Sequence, residues 1–182
     1  MIEVETASGK KRYAAFVTDS KGATAVEFAI VAAPFLALIV ALIQTFLVFF
    51  AQELLESVVR QSSRLIMTGQ VQSQQLDQTG FAKKVCGQVV ILFNCGGLMV
   101  DVQVSPNWSA ANTSMPVLQF DAQGNVTNTW QYNAGNAGDI VVVRVMYQWP
   151  VFMGPLGFNL SNLPNGNRLI MASAAFQNEP QS

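Results

Sequence analysis

The strongest pattern along the chain is one uninterrupted apolar run. Residues 28–50 read FAIVAAPFLALIVALIQTFLVFF, 23 residues without a charge. As an α-helix this run is about 34 Å long, against about 30 Å of bilayer hydrocarbon. A buried core helix of that length normally carries a polar stripe, and this run has none, so it predicts a membrane span. Pro34 falls inside it. A membrane helix tolerates proline, which here marks a candidate kink. Beyond the run, Leu55, Val58, Val59, Leu65 and Ile66 recur at helical spacing. Glu53, Glu56, Arg60 and Arg64 take the other sides, with Glu56 and Arg60 placed for an i,i+4 pair. One helix is therefore expected to leave the membrane and lay an apolar stripe on the C-terminal part of the chain.

The glutamine-rich stretch 69–80 reads as a linker. Phe81, Val85, Val89 and Leu92 then suggest a short second helix carrying Cys86. Strands come next. Leu98, Val100, Val102 and Val104 alternate with Met99, Asp101, Gln103 and Ser105, the pattern of a half-buried strand. Residues 139–149 are β-branched and aromatic, with Val141, Val143, Val145 and Tyr147 on one side and Arg144 and Gln148 on the other. Residues 169–176 read as a third strand, entered after the turn signal Pro164-Asn165-Gly166, and residues 125–132 suggest a fourth. Polar stretches at 105–112 and 133–138 read as loops. The expected fold class is α+β, a long N-terminal helix against a small antiparallel sheet.

Charge orients the span. Lys10, Lys11, Arg12 and Lys21 lie before it, with Asp19 the one acid close by on that side. Cytoplasmic flanks carry the Lys/Arg excess, so the N-terminus is expected inside and the remainder exported. A cleaved secretory signal would have a shorter apolar core of about 7–15 residues, closed by a small-residue site after it. Here the small-residue junction, Gly22-Ala23, precedes the run.

Composition narrows the chemistry. The chain is 51% hydrophobic and 12% charged, about half the charged fraction of ordinary soluble domains. Its net charge of −1 gives no footprint for nucleic acid. The absence of histidine removes the usual general base and the commonest metal ligand, and two cysteines are too few for a thiolate zinc site. Asp121-Ala122-Gln123-Gly124-Asn125 is only a faint echo of a calcium loop and lacks its closing glutamate, so it reads as a turn. Trp108, Trp130 and Trp149 read as core or rim rather than as a sugar platform. No catalytic residue, cofactor or metal is expected.

One residue does not suit a plain anchor. Glu27 stands at the start of the apolar stretch, after the small or apolar residues Ala23, Thr24, Ala25 and Val26. A carboxylate there is costly, and such residues tend to be functional. The alternative is a carboxylate that marks the interface and favours the helix N-terminus.

Lys21-Gly22-Ala23-Thr24-Ala25-Val26-Glu27-Phe28 resembles the processing site of type IV pilin-like proteins: a basic leader ending in glycine, then glutamate as the fifth mature residue. In the tight-adherence (Tad, or Flp) branch the glutamate is followed by tyrosine or a related aromatic, here Phe28. The blocks GATAVEFAIVAAPFLALI and FFAQELLESVVRQSSRLI, the spaced pair Cys86 and Cys95, GDIVVVRVMYQWPVF and RLIMASAAFQNEP resemble the TadE family of pseudopilins in that order.

The resemblance implies a minor pilin needed for Tad pilus assembly and cleaved by a prepilin peptidase between Gly22 and Ala23. Glu27 and Phe28 would then serve subunit assembly. The implied order is a leader at 1–22, a transmembrane helix at 23–50, its extension at 51–68, a linker at 69–80 and an exported domain at 81–182. Expected partners are the prepilin peptidase, other pilin and minor pilin subunits, the inner-membrane assembly platform and the lipid bilayer. The expected location is the bacterial inner membrane, with the N-terminus cytoplasmic. A Cys86–Cys95 disulfide is expected because export places both thiols in an oxidising compartment; the alternative is two buried free thiols. The competing functional reading is an anchored periplasmic binding or scaffold protein that enters no filament.

Overall fold

The computed structural model describes residues 22–180 apart from 90, 91, 153, 155 and 156. Lys10, Lys11, Arg12, Asp19 and Lys21, and with them the basic flank, lie outside the described residues.

Helix α1, Ala23–Met67, is continuous for 45 residues and runs through Pro34. At 1.5 Å per residue it is about 68 Å long. It is long and apolar enough to cross a membrane. The apolar run and the amphipathic stripe are thus two halves of one helix. Val26, Phe28, Ile30, Val31, Phe35, Leu36, Leu38, Val40 and Leu42 are all more than half exposed. Burial begins at Val48 and Ala51 and continues through Leu55, Val58, Val59 and Ile66. Ser62 and Ser63 are buried on the same face, so that stripe is not wholly apolar. Glu56 accepts a hydrogen bond from Gln52 at 3.0 Å, and among the described residues no Glu56–Arg60 ion pair forms. Gly69, at φ +72°, ends the helix, a left-handed position that costs glycine little.

Two short helices come after it, α2 at Gln70–Ser73 and α3 at Gln78–Cys86. The stretch read as a linker is held to the fold. Val71 is buried, Gln72 donates to the Ala134 carbonyl, and Gln78 donates to the Val100 carbonyl. Asp77 caps α3 by accepting from the Gly80 amide at 2.7 Å.

The sheet is antiparallel in the order β1 (Leu98–Ser105), β2 (Ile140–Trp149), β3 (Arg168–Gln177). Its inner face presents Val100, Val102, Val141, Val143, Val145, Ile170 and Ala172 to α1 and α3, which together form the core. The outer face is also covered. Residues 106–132 double back over it, and Leu118, Phe120, Val126 and Trp130 pack on Met99, Met146 and Leu169. This corrects the half-buried reading of β1. Asp101 and Ser105 on its polar side are buried, while Val104 on its apolar side is 36% exposed at the strand's end. The expected fourth strand is reduced to isolated bridges. Val102 pairs with Tyr132, and Phe120 pairs with Val126. The Val102–Tyr132 bridge still covers part of the free edge of β1, since Val102 donates to Gln131 and accepts from Asn133.

Candidate assembly helix and its supporting domain

Gly22 caps the start of α1 with no side-chain hydrogen bond, and a Cβ there would meet nothing within 4 Å. Ala23 is the first helical residue. Glu27 is exposed one turn further on, and Phe28 beside it is 74% exposed. No acid lies in the first helical turn. The helix-dipole effect fades within that turn, so Glu27 gains little from capping. Its carboxylate therefore stands on the surface of an apolar rod, about 6 Å along the axis from Ala23.

The other predicted pair lies far from these residues, in the folded domain. Cys86, buried at the end of α3, is disulfide-bonded to Cys95 at the turn leading into β1, with Cα atoms 5.6 Å apart. The bond joins the helical layer to the first strand. Beside it Phe93, Tyr147 and Trp149 form a cluster of edge-on and tilted rings, with Phe93 and Tyr147 centroids 5.0 Å apart.

Two connections have no counterpart in the sequence reading. Asp101 and Arg144 face each other across β1 and β2 and form a buried ion pair at 2.6 Å. The same carboxylate accepts from the Gln131 amide and from Gln103, while Arg144 reaches the Ser114 carbonyl. The signal for this pair is an arginine inside a valine run with an acid on the neighbouring strand. The second connection joins Gln44, inside the apolar run, to Phe152 beyond β2, whose carbonyl accepts from Gln44 Nε2. No sequence pattern points to it.

The Asp121–Asn125 segment is a tight turn, with Gly124 at φ +83°. Asp121 accepts from Gln123 and Asn125, and the Asn125 hydrogen bonds hold its carboxyl below the usual carboxylate range. Tyr132 lies against Phe81, and its hydroxyl is buried with no hydrogen-bond partner among the described residues. Burial, with a smaller contribution from the Asp77 charge, pushes that phenol up to about 12.

No curated protein and no solved structure matches the chain significantly. The family model described as TadE-like protein matches residues 22–64. The matched segment is nearly all of α1, from the glycine before it through both the exposed apolar half and most of the half that packs on the sheet. Over residues 22–64, then, this chain is similar to the TadE-like protein family.

Proposed function

We propose that this chain is a minor pilin, or pseudopilin, that takes part in assembling a Tad pilus used in adhesion. It is made with residues 1–22 as a cytoplasmic leader, which a prepilin peptidase removes after Gly22. Residues 23–50 hold the mature protein in the inner membrane, residues 51–68 extend the helix, and the part from residue 69 onward folds on the exported side. Its partners are the peptidase, other pilin subunits and the inner-membrane assembly platform. The protein has no catalytic task in this reading.

One observation carries the reading: a single rigid helix is both the apolar rod and the core helix of the domain. That construction couples a subunit's movement out of the bilayer to the placement of its folded part. Glycine ahead of the helix leaves an extended backbone unobstructed for a protease. Cleavage after Gly22 would free the α-amino group of Ala23, a cation at neutral pH. In a stack of such rods that amine could meet Glu27 of a neighbouring subunit in apolar surroundings. A lone charge is costly there, so the pair would act as a register check.

Mass spectrometry of the mature protein from membranes of a peptidase-positive strain should find Ala23 as the first residue. A mature chain that keeps residues 1–22 would favour the anchored binding or scaffold protein instead.

A further inference from the structure

The folded domain does not stand clear of the apolar rod. Two independent contacts set its height. Gln52 Nε2 donates to the Met171 carbonyl on β3 at 2.8 Å, and the Met67 carbonyl accepts from Glu179 near the chain's end. From Gln52 to Met67 the helix rises about 22 Å, and from Met171 to Glu179 the chain advances about 26 Å, so the two run nearly side by side. Arg168, the first residue of β3, therefore lies about 10 Å below Met171, level with about Thr45 of the helix. The Gln44–Phe152 hydrogen bond places Phe152, three residues past Trp149 at the end of β2, at that same level.

Thr45 lies inside the apolar run, which continues for another turn through Phe46, Leu47, Phe49 and Phe50, all exposed. The end of the domain facing that level bears residues suited to a bilayer interface. Phe152 is 79% exposed. Trp149, last in β2, is paired with Arg168, first in β3. The Trp149 ring packs on Phe93 and the Arg168 guanidinium donates to the Leu160 carbonyl, both half-buried, so it is the exposed Phe152 ring that this level presents to the acyl–headgroup boundary. Residues 23–43 alone, at about 31 Å, suffice to cross the hydrocarbon.

We infer that this end of the domain is a lipid-docking rim, with Phe152 seated in the acyl–headgroup boundary of the exported leaflet beside Gln44. The subunit is thereby tethered at two points, the rod and Phe152, which fixes the domain's tilt on the bilayer before assembly. The inference rests on the reading of residues 23–50 as the membrane span.

The test uses the full mature chain in nanodiscs of phosphatidylethanolamine and phosphatidylglycerol. Both native cysteines are in the disulfide, so Phe152→Cys, Leu36→Cys and Ala137→Cys can each be spin-labelled singly. Ala137 lies beyond the opposite end of β2. Collision with oxygen should exceed collision with a water-soluble nickel chelate at 36 and at 152, and the order should reverse at 137. Lipid character at 36 with water character at 152 overturns the rim and leaves the span standing. Water character at both positions overturns the span reading itself. The unmodified protein provides a second measurement, because an acyl-chain diazirine lipid should photolabel the chain at 151–152 as well as on the helix. Labelling confined to the helix overturns the rim.

Discussion

Arg144 Nη2 lies 2.6 Å from Asp101 Oδ2, and both side chains are almost wholly buried under residues 106–132. The register of β1 and β2 sets the two residues directly opposite each other. Gln131 and Ser114, from the covering segment, complete their hydrogen bonds. The ion pair is thus the pin that holds an otherwise irregular layer on the sheet.

Removing one partner should leave the other charge buried and unpaired. Arg144→Ala or Asp101→Ala is expected to cost about 3–5 kcal/mol, whereas the double change Asp101→Leu with Arg144→Met should cost much less. Denaturant unfolding of the four proteins in one detergent measures this. Additive losses in the double variant would mean that the two residues are not coupled.

The Cys86–Cys95 bond closes a loop of about ten residues, which the chain-entropy model values at about 2.7 kcal/mol. Protein taken from membranes without reductant should resist alkylation until reduced. Cys86→Ala with Cys95→Ala should lower the unfolding free energy by an amount of that order. Equal alkylation before and after reduction would mean that the two thiols stay free in the cell.

Tyr132 has its phenol pushed up to about 12 from an ordinary 10.0. Its neutral form is the one the fold favours. The corresponding stability is fully present below pH 10 and is lost as pH rises from there towards about 12. Tyr132→Phe also removes a buried hydroxyl with no partner among the described residues, so it should match or exceed wild-type stability at neutral pH. It should flatten that alkaline loss as well. An absorbance titration of the phenols, wild type against variant, should show one late-titrating tyrosine disappear.

Glu27 is the test of assembly. A carboxylate at a helix centre in the bilayer costs about 2.5–3.5 kcal/mol on the insertion scale, and less near a helix end. Glu27→Leu should therefore insert normally, be processed normally and keep the Cys86–Cys95 bond. Surface piliation should fall at equal protein level. Wild-type piliation from this variant would reduce Glu27 to an interfacial residue.

The sequence by itself determined the long helix, its division into an exposed and a packed half, and the positions of the three strands. These are local properties. An uncharged run, a 3.6-residue stripe and a two-residue alternation are each written in consecutive residues. The motif from Gly22 to Phe28 that resembles a processing site is local for the same reason. Tertiary structure alone decided what covers the outer face of the sheet. Alternation reports that the two sides of a strand differ, and it cannot say that residues 106–132 return to bury Asp101. The pairing of Asp101 with Arg144 depends on strand register, and the meeting of Gln44 with Phe152 on how far β3 lies along the helix. Both join residues far apart in sequence, whose approach is decided by the packing of the whole core against α1.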